Sequence, residues 1–216
     1  MANKIHIFKN NDKDPIKEQH DLKNLGNHVR GSRICLVGPP NSGKSNVLKN
    51  LIVNQEPAFD QIYIFHIDSS TKEYECLNAN LVTSTEDLPI LEELEPQKKI
   101  LVIFEDVDFS SMKKIDVILL DKYLRFGCSH KGLTCYISTQ NFFTIPTSLR
   151  RKIDIFYVFQ VDNATRQLYL RYLPFSKAVV EELLNKYLGK QYDCICLDNS
   201  GHPIKLRHNI FTEIKL

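Results

Sequence analysis

The sequence lacks any apolar run long enough to cross a bilayer, and residues 1–14 contain no signal-peptide core. It also lacks a charge excess, because 28 lysines and arginines oppose 26 aspartates and glutamates. So small a net charge indicates neither nucleic acid binding nor its absence, since phosphate binding depends on local clusters of basic residues. These absences predict a protein that is kept in a cytosol-like compartment.

The six cysteines include no pair with CxxC spacing. Four of them lie in apolar segments that are typical of strands: Cys35, Cys135, Cys194 and Cys196. Neither a zinc site nor a disulfide framework is therefore expected. The pattern favours reduced, buried thiols.

The chain contains no internal repeat, and its 216 residues are enough for one catalytic domain but not for two. Residues 1–30 are rich in Lys, Asn, Asp and His, and we expect an N-terminal arm or edge element there. Residues 31–216 are expected to form the catalytic domain, including C-terminal helices and a hairpin.

Apolar segments alternate with segments of helical periodicity in this second part. Strands are predicted at 33–37, 61–67, 99–104, 133–138 and 153–159, with a terminal hairpin at 192–197 and 204–210. Helices are predicted at 46–54, 112–126, 163–172 and 176–188, with a short helix within 87–95. The alternation is typical of an α/β fold in which helices flank a mainly parallel sheet.

One segment between a predicted strand and a predicted helix fits the motif GxxxxGK[ST] at every defined position. It consists of Gly38, Pro39, Pro40, Asn41, Ser42, Gly43, Lys44 and Ser45. In such a loop, glycines let backbone N–H groups close around phosphates, and the helix start adds its positive dipole end. We expect Lys44 to reach the β and γ phosphates and the Ser45 hydroxyl to bind Mg²⁺.

Two carboxylates, Glu105 and Asp106, follow the apolar strand predicted at 99–104. Parallel strands would bring them to the edge that carries the phosphate loop. One carboxylate would hold the metal, and the other would orient or deprotonate the attacking water. We assign Glu105 to the metal and Asp106 to the water, although the usual order in such enzymes is Asp then Glu. The alternative is a solvated acidic turn that includes Asp108.

Gln140 follows the strand predicted at 133–138. An amide at this strand end could hydrogen-bond the γ-phosphate or the attacking water and so sense hydrolysis. The alternative is an ordinary turn residue. The register with the two preceding strands favours the functional interpretation.

Together these segments resemble a known family. GPPNSGKS, ILVIFEDVD, SHKGLTCYISTQN and TIPTSLRRKIDIFYVF lie within residues 31–160. They are similar to the DNA-packaging ATPases of large eukaryotic DNA viruses, poxviruses and virophages among them, and of Maverick-type elements. These enzymes belong to the FtsK–HerA superfamily. The resemblance implies a RecA/FtsK-like P-loop ATPase domain that uses ATP and Mg²⁺ to move double-stranded DNA.

The resemblance also implies roles for single residues. Gln140 would be the sensor, and Arg150, in the family's Leu-Arg pair, a candidate arginine finger that acts on a neighbouring subunit's nucleotide in a homo-oligomeric ring. A solvated basic loop or a contact with the DNA backbone fits Arg150 as well. Arg125 and Arg151 are rival fingers. The family often has Asp at position 105 and an Arg-His pair where Ser129 and His130 stand, which leaves His130 to packing or substrate positioning.

Further expectations from the resemblance are contact with a capsid protein, no membrane span, and a place in the cytoplasm of an infected host cell or in the virion. Two other classes of function compete with the motor. A P-loop phosphotransferase would need an arginine-rich lid and would leave Gln140 without a clear role. A nucleotide-gated binding module with little turnover would not need paired carboxylates. A DNA-stimulated NTPase with another task is a further alternative.

Overall fold

The computed structural model describes residues 31–215 except 56–57, 69, 96, 161, 173–174, 201–203 and 211. The N-terminal arm predicted for residues 1–30 lies outside the described residues. The described strands form one nine-stranded sheet. They are β1 (Arg33–Val37), β2 (Gln61–Phe65), β3 (Asn80–Val82), β4 (Ile100–Phe104), β5 (Thr134–Thr139), β6 (Ile155–Phe159), β7 (Cys194–Asp198), β8 (Lys205–His208) and β9 (Thr212–Ile214).

The strand order in the sheet is β3-β2-β4-β5-β1-β6-β7-β8-β9. Strands β1 to β6 are mutually parallel, and β7, β8 and β9 add an antiparallel extension. The central strands β1, β4 and β5 are almost wholly buried because helices and loops cover both faces, which explains their continuous apolar sequences. The predicted mainly parallel α/β fold with a C-terminal hairpin is therefore confirmed.

Six α-helices lie in the described part of the chain. They are α1 (Lys44–Val53), α2 (Lys114–Lys122), α3 (Cys128–His130), α4 (Thr147–Arg150), α5 (Asn163–Tyr172) and α6 (Lys177–Tyr187). One prediction, 163–172, has the observed bounds, and the helix predicted at 176–188 is one residue shorter at each end. The helix predicted at 112–126 is interrupted, because a π-helical turn at Tyr123–Gly127 connects α2 to α3.

The short helix predicted within 87–95 is reduced to a three-residue 3₁₀ helix, Leu91–Glu93. Two 3₁₀ turns, Thr85–Asp87 and Leu91–Glu93, flank an extended segment instead. The physical reason is Pro89, whose ring disfavours helical backbone at the preceding residue. Leu88 accordingly adopts an extended ψ of 152°.

Two apolar clusters cover the two faces of the sheet. One packs α2, the π-helical turn and residues 142–153 against one face, and the other packs α1 and residues 74–77 against the opposite face. A third cluster lies between α6 and the antiparallel strands. The layers leave the carboxyl ends of the parallel strands open at one edge.

Five cysteines are buried and Cys76 is exposed, so the prediction of buried thiols is wrong for this one residue. Cys76 lies in the connection between β2 and β3, where no strand covers it. Among the described residues, none of the helices has the length and apolar character needed to cross a membrane.

Candidate nucleotide-binding site

The phosphate loop and the acidic pair meet at the carboxyl edge of the sheet. Strand β5 lies between β1, which leads into the loop, and β4, which leads into Glu105 and Asp106. Backbone hydrogen bonds hold these strand ends together: Gly38 N donates to Thr139 O at 3.2 Å, and Val107 N donates to Ser138 O at 2.9 Å. The topology therefore places Gln140, directly after β5, between the loop and the carboxylates.

The glycines of the phosphate loop are required by space and by backbone angle. A Cβ at Gly38 would lie 2.6 Å from the Cβ of Phe159 and 2.7 Å from the Ser42 Oγ. Gly43 has a φ of 98°, a left-handed value that L side chains rarely adopt. Helix α1 begins directly after Gly43, so its unpaired N–H groups face the loop and favour an anion there.

The Lys44 side chain folds back and hydrogen-bonds the backbone of its own phosphate loop. Its Nζ donates to the carbonyl oxygens of Gly38 and Pro39, at 2.9 and 3.0 Å. Burial lowers the pKa of Lys44, and the nearby carboxylates of Asp106 and Glu105 oppose that shift. A charged ammonium that bonds only backbone carbonyls can exchange them for phosphate oxygens, which are stronger charge-assisted acceptors.

Glu105 is 5% exposed and receives a hydrogen bond from Ser45, with Ser45 Oγ to Glu105 Oε1 at 3.1 Å. Burial raises the pKa of Glu105, while the hydroxyls of Tyr74, Ser138 and Ser45 oppose the shift. Its other oxygen, Oε2, is buried with no hydrogen-bond partner among the described residues. A buried carboxylate oxygen with no partner is costly, so this pocket favours a cation.

Asp106 is exposed and has a φ of 49°, a left-handed conformation that costs a non-glycine residue on the order of 1 kcal/mol. Gln140 Nε2 donates to both of its carboxylate oxygens, at 3.0 and 3.1 Å. Adjacent residues thus present one carboxylate to the interior beside Ser45 and the other to solvent beside Gln140. The structure brings together the predicted residues Lys44, Ser45, Glu105, Asp106 and Gln140.

Arg150 does not join this cluster. It ends α4, donates from Nη2 to Thr147 Oγ1 at 2.9 Å, and lies over the rings of Phe142 and Phe143 at 5.3 and 5.5 Å from their centroids. Arg151 is exposed beside it.

The rival finger Arg125 forms an ion pair at the surface, where its side chain is 69% exposed. Its Nε lies 3.0 Å from Asp121 Oδ2, and Lys152 Nζ lies 2.5 Å from the other oxygen of the same carboxylate. The ring of His130 packs on Phe126 with centroids 5.4 Å apart, which fits the expectation that it packs.

A cleft of about 510 Å³ opens beside the phosphate loop. Its lining comprises the loop residues Pro39, Pro40, Asn41 and Ser42 together with Gln140, Gln160, Asp162, Thr165, Gln191, Tyr192 and Asp193. Tyr192 is 55% exposed with a φ of 73°. Its ring therefore presents an exposed aromatic surface to the cleft.

Sequence reasoning missed three residues of this site. Tyr74 and Ser138 flank Glu105, and Tyr192 lines the cleft. Ser138 was within a predicted strand and could have been found from its position two residues before Gln140. No signal in the sequence marks Tyr74 or Tyr192, because each reaches the site through tertiary packing.

No protein-family model matches the sequence, and no curated protein is similar to it. Solved structures resemble the fold. The DNA-packaging ATPase B204 from Sulfolobus Turreted Icosahedral Virus has a TM-score of 0.60 at 18% identity, over 82% of this chain and 97% of that one. The genome packaging NTPase B204 from Sulfolobus turreted icosahedral virus 2, in complex with AMPPCP, has a TM-score of 0.62 at 20% identity, over 83% and 97%.

The pCW3 conjugation coupling protein TcpA, in monomer form with ATPγS, has a TM-score of 0.56 at 12% identity, over 86% of this chain and 61% of that one. These likenesses show the fold. They confirm the predicted P-loop NTPase architecture, and in this chain the strand that precedes Gln140 separates the phosphate-loop strand from the acidic strand.

Proposed function

We propose that this chain is an ATP-hydrolysing motor that translocates double-stranded DNA and packages a viral genome into a capsid. The observation that carries the proposal is the junction of the phosphate loop with Glu105, Asp106 and Gln140 at one sheet edge. The fold that holds this junction is shared with viral genome-packaging NTPases, which supports the choice of substrate.

In this proposal ATP enters with its phosphates in the loop formed by Gly38 to Ser45. Lys44 transfers its hydrogen bonds from the carbonyls of Gly38 and Pro39 to phosphate oxygens. The base and ribose occupy the cleft beside the loop, where the exposed ring of Tyr192 offers a stacking surface.

The oxygen donors of Ser45 and Glu105 suit Mg²⁺, which is bound through one or two carboxylates together with substrate phosphates. The orphaned, buried Oε2 of Glu105 fits the same ion. When bound, Mg²⁺ would neutralise charge on the β- and γ-phosphate oxygens. In the proposal, Ser45 and Glu105 hold it.

Asp106 is placed to orient the attacking water and to accept its proton, since its carboxylate faces solvent at the mouth of the loop. Gln140 fixes that carboxylate through two hydrogen bonds and lies next to the incoming γ-phosphate. Loss of the γ-phosphate would change the partners of Gln140, which gives the amide its sensing role.

Arg150 completes the site of a neighbouring subunit in a homo-oligomeric ring. Its guanidinium lies over Phe142 and Phe143 and hydrogen-bonds Thr147, and none of these three residues belongs to the phosphate loop. In the proposal this guanidinium acts on another protomer's nucleotide, as arginine fingers supplied in trans do. The ring would dock on a capsid protein in the cytoplasm of an infected cell or in the virion.

Translocation is tested by release of a labelled third strand from the end of a DNA triplex. We expect ATP-dependent release from a duplex track by the wild type, with no release by Lys44→Ala. Release without ATP, or none under any condition despite ATP turnover, would contradict the motor. Phosphate transfer to a small acceptor in place of DNA-stimulated hydrolysis would establish the phosphotransferase instead.

A further inference from the structure

A cluster of basic and aromatic side chains lies at the sheet edge opposite the phosphate loop. It is built on the π-helical turn Tyr123–Gly127 and on α3, which lead toward the start of β5. Strands β1, β5 and β6 are parallel, so their amino ends share this edge and their carboxyl ends share the edge of the nucleotide site. π-Helical turns are rare and occur frequently at functional sites. This edge therefore carries a structural mark of function that the nucleotide site does not explain.

Two exposed residues of the turn, Arg125 and Phe126, bring further cations together. Arg125 Nε lies 3.0 Å from one oxygen of Asp121, and Lys152 Nζ lies 2.5 Å from the other oxygen, so one carboxylate holds two cations. The Lys131 ammonium lies 5.9 Å from the centroid of the Phe126 ring, which is a cation–π distance. The contacts join cations from three separate parts of the chain into one surface cluster.

Cations outnumber carboxylates in this part of the surface. Lys122, which directly precedes the turn, pairs with Glu92 at 2.6 Å. Four cations therefore accompany two carboxylates, and both carboxylates already have partners. A local excess of positive charge of this kind, and not the net charge of the chain, determines whether a protein binds phosphates.

Arg33 fixes the turn to the strand that carries the phosphate loop. Its Nε donates to the carbonyl oxygen of Leu124 at 2.6 Å, and its Nη2 donates to Ser129 Oγ. Its Nη1 donates to Asp154 Oδ2 at 3.0 Å. Arg33 is the first residue of β1, and β1 ends directly before Gly38. A ligand at the turn is therefore linked to the phosphate loop through Arg33 and one strand.

We infer that this cluster, defined by Arg125, Lys131 and Lys152, contacts the phosphate backbone of the duplex that is moved. The inference rests on the proposed function. Duplex DNA carries one phosphate charge per roughly 1.7 Å of its axis, so it presents a regular series of anions to grouped cations. Phosphate contacts carry no sequence information, which suits a motor that moves along any sequence. The Phe126 ring already packs against Lys131 and His130, so its role is to position cations and not to stack on bases.

The test is the binding of a fluorescein-labelled duplex to the full chain, measured by anisotropy over a series of salt concentrations. Arg125→Gln and Lys131→Gln each remove one cation. Each should weaken binding about fivefold at about 0.15 M salt and reduce the slope of log affinity against log salt by about 0.9. The double variant should lose about 25-fold in affinity. Lys131→Arg keeps the charge and should bind like the wild type, and two duplexes of unrelated sequence should give the same losses.

Lys186→Gln is the matched control. Lys186 is exposed, and its ammonium lies 5.1 Å from the centroid of the Tyr187 ring, which packs on His208 with centroids 5.4 Å apart. A lysine, an aromatic ring and a histidine thus repeat the arrangement at Phe126. Here, however, Asp193 Oδ1 lies 3.2 Å from His208 Nε2, and α6 packs on the antiparallel strands. We expect Lys186→Gln to leave the affinity and the salt slope unchanged.

Thermal unfolding checks that each variant is folded, and Asp121 keeps Lys152 as a partner when Arg125 is changed. Wild-type affinity and salt slope in both Arg125→Gln and Lys131→Gln, or an equal loss in Lys186→Gln, overturns the inference. The cluster would then face solvent or an acidic protein. A wild type that does not bind duplex DNA even at low salt would overturn the proposed motor itself, so the two failures are distinguishable.

Discussion

Glu105 and Asp106 are adjacent in sequence but lie in two opposite regions of the site. Glu105 lies in a buried pocket with hydroxyl groups around it, whereas Asp106 lies on an exposed edge and pairs with Gln140. A left-handed residue at the strand end produces the difference, because it turns the Asp106 side chain away from the pocket that Glu105 enters. Under the proposed function, one strand end thus supplies a metal-binding carboxylate and a water-orienting carboxylate without a second loop.

The largest effect on ATP turnover is expected from loss of Arg150, which in the proposal completes the site of a neighbouring subunit. Arg150→Ala should reduce ATP turnover by about 10³-fold, the scale of a lost arginine finger. Arg151→Ala, at the exposed neighbouring position, is the control. Mixing Arg150→Ala subunits with Lys44→Ala subunits should restore part of the activity, because some mixed interfaces pair an intact loop with an intact finger. Absence of recovery despite co-assembly would assign Arg150 to its own site or to DNA.

A smaller but still large loss is expected within the exposed region of a single subunit. Asp106→Asn should slow hydrolysis by about 10² or more while ATP binding persists, since only proton acceptance and water orientation are removed. Single-turnover hydrolysis and analogue binding measure the two effects separately. Asp108→Asn, which alters another exposed carboxylate that bonds Ser110, is the matched control. If that variant alone were slow, the assignment at the strand end would be wrong.

The buried region should respond differently. Glu105→Gln should raise the Mg²⁺ concentration needed for analogue binding by roughly tenfold and leave binding in EDTA unchanged. The reason is that the amide keeps the volume of the side chain but loses the charge that attracts the cation. A variant that binds Mg²⁺ and the analogue like the wild type would show that the buried carboxylate is structural, and the two roles would then have to be exchanged.

The smallest effect is on the stability of the metal-free protein. Because burial raises the pKa of Glu105, the folded state binds this proton more tightly than the unfolded state does. Stability is therefore greatest below the unfolded pKa and falls as pH rises through the folded pKa. Glu105→Gln should be more stable than the wild type at neutral pH, and the difference should shrink as pH falls. Thermal unfolding in EDTA across this pH range measures it, and a difference that grows toward low pH would contradict the account.

The central parallel strands could be predicted from the sequence, because strands buried on both faces are continuous apolar runs. The phosphate loop could be predicted because phosphate binding requires glycines and a lysine at fixed spacing, and that spacing is visible in the sequence. Strand β3 (Asn80–Val82) was missed because three residues carry too little pattern. The separate roles of Glu105 and Asp106 stay a prediction, and the burial of the one and the exposure of the other could not be deduced from two adjacent positions in the sequence.

Tyr74 shows why the rest could not be predicted. It precedes a 3₁₀ turn in the connection between β2 and β3, 31 positions before Glu105, and only the folded crossover brings the two together. The interruption of the helix predicted at 112–126 could not be predicted from the sequence either. The apolar spacing there continues through the π-helical turn, so periodicity alone does not reveal it.

ATP turnover by the purified chain in Mg²⁺, measured with and without double-stranded DNA, tests the central claim most directly. Turnover should rise when duplex DNA is added, vanish in EDTA, and be absent from Lys44→Ala at every DNA concentration. Equal turnover by the wild type and Lys44→Ala, or turnover that duplex DNA leaves unchanged, would contradict the claim that this site drives a DNA motor.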